Sequence, residues 1–196
     1  MLVSLSSIGQ TNPTAQSLPY TQNFSTLTGS TTTYPAGLQG WDVAGSLSTS
    51  YVTTAPSVNR VLSASGNNNT QTRGVYDMTG RIGVCATGSS LTTLALALNT
   101  TSLTAINVSF NVGTQYSAGR INEIGLQFRV GTSGGFTNVA SSTYQNTGTL
   151  NSGTSTTPIN TQTISVTLPV SAENQSVVQL RWMIRDVSGT GNRTNF

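Results

Sequence analysis

The sequence contains no histidine and no lysine, and only five of its 196 residues are acidic. A histidine-dependent triad, a histidine-ligated zinc site, a Schiff-base lysine and a lysine-bearing phosphate loop each need one of the two absent residues. The spacing of the acidic residues pairs no two carboxylates across a cleft, as a glycosidase requires; they are Asp42, Asp77, Glu123, Glu173 and Asp186. We therefore expect a protein that is not an enzyme, with no catalytic residues, no cofactor and no metal site.

Charge is also scarce, because charged residues make up 7% of the chain and the net charge is +3. The basic residues are arginines scattered along the sequence, whereas nucleic-acid-binding surfaces cluster their basic residues. We therefore expect no nucleic-acid partner. No apolar run approaches the roughly 18 residues of a membrane-spanning helix, so we also expect no insertion into a membrane.

Small and polar uncharged residues dominate the composition: serine, threonine, asparagine and glycine supply 97 of the 196 residues. A neutral surface of hydroxyl and amide groups without lysine suits a protein that resists proteolysis and packs through many weak contacts. We expect it to be extracellular or at a cell surface. Cys85 is the single cysteine, so no intramolecular disulfide can form, and its setting predicts a small apolar residue in a strand.

Apolar and polar residues alternate with a period of two, the pattern of β-strands with one buried face. The clearest windows are residues 94–98, 106–112, 124–130, 163–170 and 178–185. Weaker candidates are residues 3–8, 18–24, 40–43, 57–64 and 81–86. No window of helical length has an apolar stripe at helical spacing, and clusters of glycine, asparagine and serine separate the strands as turns.

Many strands with one apolar face each can be buried only by packing two sheets together. The sequence therefore predicts an all-β fold, an antiparallel β-sandwich. A length near 200 residues suits one such domain, which we place at residues 17–196 after an N-terminal extension of residues 1–16.

Residues 18–24 read Leu-Pro-Tyr-Thr-Gln-Asn-Phe, and residues 34–41 read Tyr-Pro-Ala-Gly-Leu-Gln-Gly-Trp. These two motifs resemble the jelly-roll domains of secreted bacterial proteins. Residues 91–110 are similar to that family's core of an apolar strand, an asparagine turn and a second strand, and residues 179–187 are similar to its penultimate strand. The resemblance implies a jelly-roll-like sandwich and a non-catalytic module, found beside extracellular nuclease or hydrolase domains or in surface-anchored proteins. The sequence departs from the family at Ser25, where the family has an acidic residue. The family's last strand, with its paired aspartates, would follow Phe196.

A sandwich that lacks one strand exposes unpaired backbone groups and an open apolar groove. A strand from another chain can fill such a groove. The N-terminal segment is a candidate donor strand through Leu2, Val3, Leu5 and Ile8. Docking on its own sandwich and docking on a neighbour both remain open, and the second would make the protein a subunit of a homopolymer.

The sequence favours a non-catalytic extracellular structural or adhesive protein, a self-assembling filament or surface-layer subunit joined by strand exchange. The alternative is a carbohydrate-binding accessory module of a secreted bacterial enzyme, with a polysaccharide as partner. Tyr116 and Tyr144 lie near predicted turns and are the candidate glycan contacts. Trp41 and Trp182 are interpreted as packing residues. Asp186 is interpreted as a turn cap or a partner of an arginine.

Overall fold

A computed structural model describes residues 10–64, 72–149, 157–190 and 192–196. In these ranges the chain forms strands and one short 3-10 turn, Val170–Ala172. The strands are β1 (Gln16–Ser17), β2 (Leu38–Val43), β3 (Pro56–Arg60), β4 (Leu62–Ala64), β5 (Gly74–Asp77), β6 (Ile82–Cys85), β7 (Leu91–Asn99), β8 (Asn107–Thr114), β9 (Tyr116–Ala118), β10 (Ile121–Val130), β11 (Thr137–Gln145), β12 (Ile159–Thr167), β13 (Val178–Ser188) and β14 (Asn192–Asn195). Within the described ranges, no helix is long and apolar enough to span a bilayer.

The strands form two layers. The large sheet has the order β11-β10-β13-β7-β2-β3, and all its neighbours in that order are antiparallel. The second layer consists of a small sheet, β4-β5-β6-β14-β9, and a two-stranded ribbon, β12-β8. The ribbon continues the small sheet because β8 runs into β9 through one residue, Gln115.

One apolar core fills the space between the layers. It joins Leu94, Leu96 and Leu98 of the large sheet with Val84 of the small sheet and Ile164 of the ribbon. The predicted all-β antiparallel sandwich is confirmed, whereas the jelly-roll order of its strands stays a prediction.

The windows of clear alternation fall on the strands β7, β8, β10, β12 and β13. Two windows extend past their strands: Ile106 precedes β8, and residues 168–170 follow the end of β12, with Val170 in the 3-10 turn. Residues 57–64 are divided at Val61 into β3 and β4. The interpretation of residues 18–24 as a strand is wrong: Pro19 has no N–H to donate, and Phe24 adopts a φ of 58°. The candidate at residues 3–8 lies outside the described residues.

The outer face of the large sheet is covered by the chain itself. Arg129 and Arg181 are buried there, with their guanidinium carbons 4.5 Å and 4.0 Å from the ring centroid of Phe136. Burial lowers the pKa of Arg181 to about 9 and that of Arg129 to about 10. Arg181 donates to the carbonyl oxygens of Val52 and Thr54, each at 2.9 Å, and so fixes this loop against the sheet.

The described chain begins on this same outer face. Thr11 donates its N–H to Asn59 Oδ1 at 2.9 Å, and its carbonyl accepts from Trp41 Nε1 at 3.0 Å. Trp41 is therefore a packing residue, as predicted, but it packs on the outside of the large sheet. Trp182 packs between the layers.

Candidate strand-acceptor site

The ribbon has no backbone pairing to any other described strand of the second layer. Among the described strands, β8 pairs with β12 alone, and β12 pairs with β8 alone. Each strand therefore presents one edge that no described strand satisfies. An isolated two-stranded ribbon is marginal in water, and unpaired strand edges are templates for further strands. The ribbon edges are the first candidate site for a partner.

The edge of β8 that faces away from β12 lies over apolar side chains. Val108, Phe110 and Val112 point toward the core and pack against it, yet all three are only partly buried. Phe110 meets the ring of Trp182 edge-on at 5.5 Å between centroids, and Trp182 is also only partly buried. We name the space beside this edge of β8 the acceptor slot, and these four side chains form its floor.

The register of β14 places the acceptor slot in line with that strand. Asn195 pairs with Cys85 of β6 on one side and with Tyr116 of β9 on the other. Phe196 then exchanges two backbone hydrogen bonds with Val84, at 2.7 Å and 3.1 Å. Because β9 continues into β8, the acceptor slot lies between β8 and the start of β6 in the second layer.

One side chain bridges the near end of the slot. Arg81 directly precedes β6, and its Nε donates to Gln115 Oε1, at the junction of β8 and β9, over 2.9 Å. Burial lowers the pKa of the Arg81 guanidinium. A single arginine side chain thus reaches from the start of β6 to the β8–β9 junction. This reach is consistent with a distance between β6 and β8 of about two strand spacings, roughly 9.5 Å.

The outward face of the ribbon carries a regular set of polar pairs. Thr163 donates to Asn111 Oδ1 and Thr167 donates to Asn107 Oδ1, each at 2.7 Å, while the hydroxyl oxygens of Ser109 and Ser165 lie 2.9 Å apart. We name these three pairs the hydroxyl–amide ladder. Two shallow depressions of about 280 Å³ and about 370 Å³ lie along it. Neither β8 nor β12 contains a charged residue.

Glu123 and Asp42 are engaged in ion pairs within the fold. Glu123 accepts from Arg185 Nε at 2.8 Å and from the Tyr51 hydroxyl at 2.7 Å. Burial raises the pKa of Tyr51, and its hydrogen bond to Glu123 raises it further. Asp42 lies 3.4 Å from Arg73 and 3.7 Å from Arg60. These carboxylates hold strands and loops together.

Asp186 also has an arginine partner, as the sequence predicts. Its Oδ2 atom lies 3.4 Å from Arg120, and its Oδ1 atom accepts from Asn122 at 3.1 Å. The partner is an arginine before β10 rather than the neighbouring residue 185, which uses its guanidinium on Glu123.

The expectation of exposed rings at Tyr116 and Tyr144 needs correction. Tyr116 is 6% exposed and Tyr144 is 2% exposed, so neither offers a ring face to a polysaccharide. Both belong to strands, and the Tyr144 ring meets Phe196 edge-on at 5.7 Å. Its hydroxyl lies 2.9 Å from that of Thr114.

The predicted donor residues lie outside the described residues, so the structure gives no position for Leu2, Val3, Leu5 or Ile8. For the groove that would accept the strand, the sequence predicted only that one missing strand leaves an open groove, without naming the residues that line it. Sequence reasoning missed the hydroxyl–amide ladder, although its signal is visible. Asparagine, serine or threonine occupies alternate positions 107, 109 and 111 of β8 and 161, 163, 165 and 167 of β12.

Comparisons with protein-family models, with curated proteins and with solved structures found no match. The function is therefore argued from the chemistry and geometry of the site.

Proposed function

We propose that this protein is a non-catalytic extracellular structural or adhesive subunit that associates with itself by strand addition. The observation that supports it is the acceptor slot, where the edge of β8 pairs with no described strand and lies over partly exposed apolar side chains. Adding a strand there satisfies backbone donors and acceptors and covers the apolar floor in one step.

The absence of charge on the ribbon supports self-association. Natural proteins protect strand edges with lysine, proline or inward-pointing charge, and the strands β8 and β12 contain none of these. Two uncharged ribbons approach each other without local electrostatic repulsion between their strands. A surface rich in hydroxyl and amide groups also suits the many weak contacts of an extracellular assembly.

The test is the mass of the native particle, measured by light scattering over a range of concentrations on protein purified without denaturant. We expect a mass above the 20.4 kDa of one chain, rising with concentration. A particle that stays at the mass of one chain at every concentration contradicts the proposed function.

A second candidate function is binding of a neutral polysaccharide, and the hydroxyl–amide ladder favours it. Its cross-strand hydrogen bonds fix the orientation of hydroxyl and amide groups that can pair with sugar hydroxyls, and the two depressions lie along it. We expect the double variant Asn111→Ala, Thr163→Ala to lose retention on a polysaccharide matrix without a lower melting temperature. Failure of the parent protein to bind any matrix of a broad neutral panel removes this candidate.

A further inference from the structure

We propose that Arg129 and Gln179 form a binding site for a carboxylate group, and that the side chain of Asn12 covers this site. The site lies on the outer face of the large sheet, whereas the acceptor slot lies in the second layer. The proposal therefore goes beyond self-association and does not depend on it.

Two arginines on this face are buried charges that pair with no carboxylate among the described residues. Arg129 is 4% exposed and Arg181 is fully buried. All five acidic residues of the chain lie in the described ranges, and each binds another group: Asp42, Glu123 and Asp186 pair with other arginines, and Asp77 and Glu173 accept backbone N–H groups. A buried charge is costly unless an opposite charge neutralises it. The acidic side chains of this chain supply no such charge to Arg129 or Arg181.

The hydrogen bonds of these two arginines differ at one nitrogen. Arg181 donates from Nε, Nη1 and Nη2 to oxygens of the fold over 2.6 to 2.9 Å. Arg129 donates from Nε to Gln179 Oε1 over 2.8 Å and from Nη1 to the carbonyl oxygen of Gly134 over 2.7 Å. Its Nη2 has a longer contact, 3.5 Å to Oδ1 of Asn12, and Asn12 is exposed. Nη2 of Arg129 is therefore the donor that a ligand can approach from solvent when Asn12 moves aside.

Asn12 presents one oxygen to three converging donors. Gln179 Nε2 lies 2.9 Å from Asn12 Oδ1, Gln10 Nε2 lies 2.7 Å from it, and Nη2 of Arg129 contacts the same atom. A guanidinium accepts no hydrogen bond, so Gln179 must turn its Oε1 toward Arg129 and its amide N–H group toward Asn12. The position of this oxygen is thus surrounded by donors, one of them charged. A carboxylate oxygen binds such donors roughly twice as strongly as a neutral amide oxygen.

The chemistry of the site favours a carboxylate over a simple ion. A carboxylate has two oxygens, so one can accept from Arg129 and the other from Gln179, whereas Asn12 offers only one. The rings of Trp41 and Phe136 lie 5.6 Å and 4.5 Å from the guanidinium carbon of Arg129. Apolar rings lower the local dielectric constant and so strengthen the attraction between guanidinium and carboxylate. The carboxylate can belong to a small molecule or to a uronic acid of an acidic polysaccharide.

Melting curves of the full chain in sodium acetate test the proposal, with sodium chloride at the same ionic strength as the reference. We expect acetate to raise the melting temperature saturably, by about 1 to 2 °C at a concentration equal to its Kd. In Asn12→Ala no side chain has to leave the site, so acetate should bind more tightly, by about threefold or more. In Asn12→Asp the chain's own carboxylate occupies the site. The melting temperature should then exceed that of the parent protein by about 2 °C, and the acetate effect should disappear.

The matched control is Asn23→Asp. It introduces the same charge at an exposed asparagine whose Oδ1 accepts from a neutral backbone group, the N–H of Ser25, at 3.0 Å. This variant should keep the acetate effect of the parent protein. Loss of the effect in both aspartate variants would show that acetate responds to net charge alone and would overturn the proposal.

Two further outcomes overturn the proposal. One is equal melting temperatures in acetate and in chloride for both the parent protein and Asn12→Ala. The other is an acetate effect that persists unchanged in Asn12→Asp, because acetate then binds elsewhere. If Asn12→Ala does not fold, the parent protein and Asn12→Asp decide the question by the same criteria. The mass of the native particle tests self-association separately.

Sodium polygalacturonate, added at the same concentration of carboxylate groups, identifies the source of the carboxylate. Binding that is tighter than that of acetate and is lost in Asn12→Asp assigns the site to an acidic polysaccharide. Binding no tighter than that of acetate assigns it to a small carboxylate.

Discussion

Single polar residues fix the turns and loops of this sandwich, and Asp77 shows how. Its side chain is fully buried, and its two oxygens accept the N–H groups of Thr31 at 2.9 Å and Thr79 at 3.0 Å. Burial alone raises the pKa of a carboxyl, but here the backbone N–H donors outweigh it and hold the pKa of Asp77 below 3.8. The charged carboxylate therefore ties residues 31 and 79 to the end of β5.

We expect Asp77→Ala to lower the free energy of unfolding at neutral pH by about 3 kcal/mol, because two hydrogen bonds to a buried charge are lost. The folded-state pKa lies below the unfolded-state value, so this stabilisation is present above pH 3.8 and disappears as the pH falls through the folded-state pKa. Urea unfolding at several pH values measures it.

The difference between the parent protein and Asp77→Ala should thus narrow in acid. Glu173→Ala is the control, because that carboxylate is only partly buried and accepts from one backbone group, the N–H of Ala105. A difference that stays constant down to the lowest pH would show that the charge of Asp77 is not what stabilises the turn.

At the scale of elements, the strands of this protein differ in how many of their edges are paired and how many of their faces are buried. Both faces of β7 are buried and both of its edges are paired, whereas β8 and β12 each have one described partner. The free energy needed to open a segment locally is lower where fewer of its edges are paired and fewer of its side chains are buried. We therefore expect the ribbon to open more easily than β7.

We expect amide hydrogens of β8 and β12 to exchange faster than those of β7 and β13 in the monomer, as measured by hydrogen exchange with mass spectrometry. Assembly should slow exchange in β8 and leave exchange unchanged at the edge of β12 that pairs with no described strand, because the slot borders β8. Slowing of exchange in β12 alone would place the joint at the other edge of the ribbon.

The spacing of buried residues along each strand explains which strands the sequence predicts. Strands whose large apolar residues occupy every second position, such as β8 and β10, show the alternation directly. β11 does not, because its buried residues Val139, Ser142 and Tyr144 are three and then two positions apart, and Ser141 between them has a φ of 56°. A register shift in the pairing with β10 causes this spacing, and periodicity cannot reveal it.

The candidate site was only partly predictable for a related reason. The sequence predicted a groove left by one strand, but not which edge borders it, because that depends on the order of strands that are far apart in the chain. The burial of Arg129 and Arg181 was also unforeseen. Their hydrogen-bond partners include carbonyl oxygens in loops, and such contacts follow no sequence spacing.

At the scale of the whole molecule, the low charge determines how assembly responds to salt. The chain carries eight arginines and five acidic residues, and the ribbon carries none of them. Arg129 and Arg181 are buried, so they contribute little to contacts between molecules. Association through the slot therefore depends on backbone hydrogen bonds and apolar contact, which salt screens only weakly.

We expect the concentration at which half of the chains are assembled to change by less than about threefold between about 0.05 M and 0.5 M sodium chloride. Light scattering across a salt series measures it. A steep loss of assembly with salt would instead indicate joints made by exposed arginines and carboxylates.

The single thiol of the protein lies in the strand that borders the acceptor slot. Cys85 in β6 is fully buried, and it lies opposite Asn195 of β14. An alkylating reagent reaches its sulfur only when this part of the small sheet separates, so the rate of alkylation measures how often that separation occurs. A strand bound in the slot should lower the rate. No engineered label is needed, because the chain has no other cysteine.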